Sequence, residues 1–142
     1  MGKREIELIR RGFQVYNEAG PSAFIDFLVG EDAIHPDFVF HIQDDLPNGG
    51  DWPGIEGFNE MARSWLEAWE EFTVEPHEFI EVGDESLLVP IKQRAVARGS
   101  GIEVAGEFVY VIIFSDGKIE QTGLYSDREQ AERAATTRAT SP

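Results

Sequence analysis

The chain carries three histidines, no cysteine and 27 acidic against 12 basic residues, so the side chains able to do chemistry are few. His41 is the candidate acid/base, because an imidazole with a reference pKa of about 6.5 exchanges protons near neutrality. It sits in Asp37–Ile42, which reads as a strand, so Val39 and His41 share a face, the one expected to line a cavity. The competing reading of His41 is a buried histidine hydrogen-bonded to Gln93 or Tyr110. Gln93 belongs to a strand starting at Leu87. There Val89, Ile91 and Gln93 alternate with Lys92, Arg94 and Arg98. Charged side chains are rarely buried unpaired, so the alternation places Val89, Ile91 and Gln93 inside. Trp65 and Trp69, spaced i, i+4, form a packing stripe that also suits a ligand wall. His35, before Pro36, and His77, between acidic neighbours, read as surface groups. No HExxH spacing marks a metal site, and no glycine motif marks a nucleotide phosphate site.

The absence of cysteine excludes disulfides, thiolate nucleophiles and cysteine-based zinc sites. A net charge of −15 repels phosphate backbones and anionic lipid, which argues against nucleic-acid and membrane-surface partners. No apolar run approaches the ~20 residues of a membrane helix. The opening Met1-Gly2-Lys3-Arg4-Glu5 lacks a signal peptide's apolar stretch. A cytoplasmic protein is the expectation.

These groups require elements to position them. Ile6, Ile9, Phe13 and Tyr16 recur at helical spacing over Lys3–Ala19, and Gly20-Pro21 stops that helix. Ser22 caps a short second helix ending at Gly30. After a turn comes the Asp37–Ile42 strand, then a polar loop, Gln43–Gly54, with Trp52 available to lie across a cavity mouth. A third helix, from about Ile55 to Trp69, carries Phe58, Met61, Trp65 and Trp69 on one side. The period then changes to two. Strands are predicted from Phe72 to near Val82, Leu87–Arg98, Ile102–Phe114 and Ile119–Tyr125. Hairpin turns join them at Gly83-Asp84, Gly99-Ser100-Gly101 and Asp116-Gly117. A last helix spans Arg128 to about Thr136, with a frayed tail over 137–142. Helices gathered early and strands late predict a single α+β domain whose N-terminal helices close a curved antiparallel sheet. Phe108, Tyr110, Ile112 and Phe114 share one face of the long strand, and Val109, Val111 and Ile113 share the other. A second apolar face needs its own cover, and a homodimer through the outer sheet face is the simplest.

The chain resembles the SnoaL-like branch of the nuclear transport factor 2-like superfamily. The resemblance rests on Arg10-Arg11-Gly12-Phe13 with Tyr16-Asn17-Glu18-Ala19-Gly20, His35-Pro36-Asp37-Phe38-Val39-Phe40 and Trp52-Pro53-Gly54-Ile55-Glu56-Gly57. It continues through Phe114-Ser115-Asp116-Gly117-Lys118-Ile119 and Tyr125-Ser126-Asp127-Arg128-Glu129-Gln130-Ala131. The resemblance implies a cone with an apolar cavity at its open end and, in catalytic members, acid/base chemistry without a cofactor. By register with the family, Phe108, Tyr110, Ile112, Thr122 and Leu124 point inward, and Phe13, Tyr16, Met61, Trp65 and Trp69 contribute walls. His41 corresponds approximately to the catalytic Asp of ketosteroid isomerases, and Tyr110 falls near their second acid. The oxyanion tyrosine of those enzymes corresponds to Phe13, which argues against steroid isomerisation by that mechanism. The internal positions also lack the Asp-Arg-Asp set of the epoxide hydrolases. Two readings follow. One is a cofactor-independent enzyme acting on an apolar, cyclic carbonyl compound by isomerisation or cyclisation, with His41 and Tyr110 catalytic. The other is a non-catalytic ligand-binding or dimerisation module.

Overall fold

The computed structural model describes residues 2–140. Among them are three helices and seven strands: α1 (Lys3–Gly30), β1 (Ile34–Ile42), β2 (Gly50–Pro53), α2 (Gly54–Ala68), β3 (Trp69–Pro76), β4 (Ile80–Val82), β5 (Ser86–Ala97), β6 (Glu103–Ser115), β7 (Lys118–Tyr125) and α3 (Arg128–Thr140). The two expected N-terminal helices run on as one bent α1. Gly20, at φ 90°, takes a backbone conformation closed to other residues, and Pro21 resumes the helix beyond it. The Ile9/Phe13 stripe stays buried on both sides of the bend with Ile25 and Leu28.

All strands join one sheet in the order β2-β1-β7-β6-β5-β3, with β4 also pairing β5. The hairpins are antiparallel, as the turn residues require; Asp116 and Gly117 both have positive φ. The sheet is nevertheless mixed, not antiparallel throughout, because β1 lies parallel to β7. Turn residues report only on strands adjacent in sequence, and these two are far apart. Two further departures are local. The segment Gln43–Gly54, expected to be all loop, contains β2, which pairs with β1. The strand expected from Phe72 to Val82 divides at Pro76 into β3 and β4, both paired with β5. Gly57 lets α2 start against β2: a Cβ there would lie 2.6 Å from the Trp52 carbonyl carbon.

The helices α1 and α2 cover the inner face, where the larger core cluster joins Phe13, Phe40, Phe58 and Tyr110. On the outer face, Ala131 and Ala135 of α3 pack with Leu88, Val109, Val111 and Ile113. Alanine at i and i+4 lets the helix approach the sheet closely. These outer-face residues are thus covered by the chain's own last helix. Helix α3 also runs to Thr140, past the expected end near Thr136; Ser141 and Pro142 of the expected tail lie outside the described residues.

One side chain ties α1 to the sheet edge. Asn17 donates from Nδ2 to the Val74 carbonyl at 2.7 Å and accepts the Val74 N–H at 2.8 Å. Its amide acts as one residue of a neighbouring strand for the open edge of β3. Asn17→Ala leaves both backbone groups of a buried residue unpaired. It is expected to lower stability by about 2 kcal/mol, several degrees in melting midpoint by thermal denaturation. An unchanged midpoint would show that the clamp is dispensable.

Candidate functional site

Between the helices and the sheet lies a cavity of about 250 Å³. Its depth axis is the inward stripe of β6, along which exposure falls from 49% at Val104 to 3% at Ile112. The mouth is therefore at the β5–β6 hairpin end of the sheet, beside Trp69 and Ala95.

Of the residues assigned inward, Phe13, Tyr16, Met61, Trp65, Trp69, Gln93, Phe108, Tyr110, Ile112, Thr122 and Leu124 line the cavity. Val89 and Ile91 point into the protein but are buried in the core next to the cavity instead of lining it. Trp52 does not lie across the mouth. It packs at the core margin, its Nε1 donating to the Asn48 carbonyl at 2.9 Å. From the same loop, Leu46 and Pro47 reach the cavity instead.

Val39 and His41 require the largest correction. They share a face, but it is the outer one. Phe38, Phe40 and Ile42 take the inward phase of β1 and are buried. Phe40 packs edge-on against Phe58, ring centres 5.4 Å apart, and lies 6.5 Å from Tyr110. Turning His41 inward would expose two phenylalanines and an isoleucine to water, at a cost of several kcal/mol, roughly 1.5–3 per side chain. Instead His41 donates from Nδ1 to Asp51 Oδ1 at 2.6 Å, its partner directly across β2. Its ring lies 5.6 Å from that of Tyr125. Arg94 also faces outward, as expected, bonded to Glu103 at 2.7 and 3.1 Å.

The remaining lining is aromatic and aliphatic, including Ile9, Phe24, Phe58 and Phe72. Ile9 and Phe58 belong to the helical stripes already read through Phe13 and Met61, and carrying the wall assignment along those stripes would have found them. Among the described residues no Asp, Glu, His, Lys or Arg lines the cavity. No group of three or more His, Asp or Glu among them is placed to hold a metal ion. The polar groups carried by the lining side chains are the phenols of Tyr16 and Tyr110, the Gln93 amide, the Thr122 hydroxyl and the indole N–H groups of Trp65 and Trp69. Burial pushes the Tyr110 phenol well up from its ordinary range, and burial with Tyr110 nearby does the same to Tyr16. Both therefore stay protonated and can donate hydrogen bonds across the physiological range.

The SnoaL-like domain model matches residues 9–122. The chain belongs to this SnoaL-like domain family. No curated protein sequence matches it. Solved structures share the SnoaL-like fold at low identity. An NTF2-like protein of unknown function from Burkholderia pseudomallei is 21% identical, covering 95% of this chain and 99% of that one, with a TM-score of 0.75. TerC, co-crystallised with polyporic acid, is 19% identical over 94% and 98% of the two chains, with a TM-score of 0.72. SalBIII is an epoxide hydrolase/cyclase-like enzyme with a role in pyran ring formation in the polyether salinomycin. It is 18% identical over 89% and 93%, with a TM-score of 0.68. Among the described residues of this SnoaL-like chain, no helix is long and apolar enough to cross a membrane.

The three tyrosines of the chain all have raised pKa values, Tyr125 through burial and then Asp51 and Asp44. Below the unfolded value of about 10, folded and unfolded chains are equally protonated and the phenols cost no stability. Above it the unfolded chain releases protons that the folded chain keeps, so stability falls as pH rises. Absorbance at 295 nm is expected to show no phenolate step near pH 10, then a jump coincident with loss of circular dichroism. An ordinary tyrosine titration in the folded protein would contradict the burial described.

Proposed function

We propose that the cavity binds a neutral, apolar ring compound bearing a carbonyl group, which it orients and polarises. The observation that carries this reading is an aromatic cavity whose two titratable groups, Tyr16 and Tyr110, are held as neutral hydrogen-bond donors. A phenol O–H aimed at a carbonyl oxygen binds it and stabilises charge that develops there. An anion entering the cavity would lose its hydration and find no lining cation. It would also have to approach a chain of net charge −15.

The reading changes the role assigned to His41. With the imidazole on the outer face against Asp51, no described side chain lining the cavity takes a proton near neutrality. Proton abstraction by a cavity residue is not part of the proposed activity. Binding a flexible or cyclic ligand in one conformation and polarising its carbonyl is sufficient for a binding protein, and for assisting a ring closure whose proton goes to water. The ligand of TerC and the ring-forming role of SalBIII, on the same fold, support a small organic guest.

The test is a thermal-shift screen followed by calorimetry with cyclic ketones, lactones and aromatic polyketide fragments. Neutral ketones are expected to raise the melting midpoint by several degrees at roughly 100 times their Kd, equivalent to about 2.7 kcal/mol. Tyr110→Phe is expected to weaken binding by about tenfold, and His41→Ala to leave it within about twofold. Affinity should be flat from pH 6 to 9. Preferential binding of carboxylates, or loss of binding in His41→Ala, would overturn the proposal.

A further inference from the structure

The chain has three asparagines, Asn17, Asn48 and Asn59, and only Asn48 is followed by glycine. Asparagine is a thermally labile residue. The backbone nitrogen of the next residue can attack its side-chain amide carbon and close a succinimide ring. A following glycine favours that closure, because no Cβ crowds the attacking nitrogen and the backbone around it turns freely. Asn17 and Asn59 stand inside α1 and α2, with Glu18 and Glu60 after them. There the helix holds the backbone, and Asn17 has both ends of its amide bonded to Val74.

The fold itself imposes the reactive pair. A Cβ at position 49 would collide with the Asp44 carbonyl and lie 2.8 Å from the Gln43 carbonyl oxygen, so no larger residue fits after Asn48. Asn48 has φ 64°, a conformation that Asn tolerates better than most residues. Among the described residues its side chain is held only through Oδ1, by the Ser64 hydroxyl at a long 3.4 Å. The Gly49 N–H donates to the Leu46 carbonyl at 2.9 Å. Attack therefore waits on an opening of this short, partly exposed turn, and loop tips open at low cost. The same residues belong to the cavity wall. Leu46 and Pro47 line it, and the Asn48 carbonyl accepts the Trp52 indole N–H at 2.9 Å.

We infer that Asn48-Gly49 is a self-modification site, which converts with time and loosens this part of the cavity wall. Gly49 N bonds to Asn48 Cγ, the Cγ–Nδ2 bond breaks, and ammonia leaves with the Gly49 amide hydrogen. Water, the only co-reactant, then opens the imide at one of its two carbonyls. Opening at Cγ gives aspartate, and opening at the main-chain carbonyl of residue 48 gives isoaspartate. In the isoaspartyl product the chain runs through Cβ and Cγ and is one atom longer. The carbonyl that Trp52 bonds becomes part of a free carboxylate. The new charge lies in a loop that already holds Asp44, Asp45 and Asp51.

The experiment incubates the folded full chain in mildly alkaline buffer and follows each asparagine by peptide mapping, with isoaspartyl methyltransferase labelling to identify the product. Asn48 is expected to convert at least about tenfold faster than Asn17 and Asn59, with isoaspartate as the main product. In the aged protein the Trp52 indole N–H resonance is expected to shift. Freshly made Asn48→Asp keeps the main-chain carbonyl and should leave that resonance near its original position, which separates the rerouted chain from the added charge. Circular dichroism and the melting midpoint verify that the variant folds. Retention of Asn48 in the folded protein would overturn the inference, and its loss in urea alone would trace the protection to the turn. Conversion of Asn17 or Asn59 as fast as Asn48 would overturn it too. Conversion at Asn48 with the Trp52 resonance unmoved would do the same, since the cavity wall would then be unaffected.

Discussion

Every strand of this sheet has one face toward the cavity and one away, so a one-residue change of phase exchanges the two sets of side chains. The parallel pairing of β1 with β7, in which Phe40 stands opposite Thr122 and Ile42 opposite Leu124, fixes that phase for β1. The partners Thr122 and Leu124 line the cavity, and so do Phe40 and Ile42. Once these apolar side chains are inside, the histidine between them must be outside. Among the described residues, the absence of a charged group from the lining, and with it the proposed preference for a neutral guest, follows from this register.

The rest of the molecule keeps the cavity closed on its helical side. The Asn17 amide binds α1 to the edge of β3. The loop that brings Leu46 and Pro47 to the cavity begins at the buried Gln43. That residue accepts the backbone N–H groups of Ser126 and Asp127 through Oε1, at 3.1 and 3.2 Å, and donates to Ser126 Oγ at 3.1 Å. The start of α3, which covers the outer face, therefore also anchors the loop of the inner one. At the loop's far end, the His41–Asp51 pair bridges β1 and β2. His41 thus links β1 to β2 on the outer face, away from the cavity in which its chemistry first suggested it.

Much of this was legible in residue types. Lys92 and Arg94 fixed the parity of β5, so Gln93 could be placed inside from alternation alone. The i, i+4 tryptophans located one wall, and Asp116-Gly117 located a hairpin. Parity on β1 was harder to read, because Phe38, Val39, Phe40 and Ile42 make both faces apolar and His41 is chemically attractive. Weighing bulk would have decided it: two phenylalanines and an isoleucine on one face against a valine and a histidine on the other. The parallel pairing and the reach of Leu46 and Pro47 depend on contacts between distant segments, and strand β2, four residues long, is too short to leave a periodic signal in a polar stretch. That the fold, beyond the turn itself, requires glycine at 49 could be seen only once the Asp44 carbonyl was in place.

The central claim is that the guest sits among Trp65, Gln93 and the phenols, on the opposite side of the sheet from His41. Nuclear magnetic resonance of the protein titrated with a binding ketone tests this directly through assigned indole and imidazole signals. The Trp65 Nε1–H resonance is expected to shift most among the tryptophans. That of Trp52, already bonded to Asn48, and the ring protons of His41 should scarcely move. A dominant shift at His41 with Trp65 unchanged would place the ligand on the outer face and contradict the account.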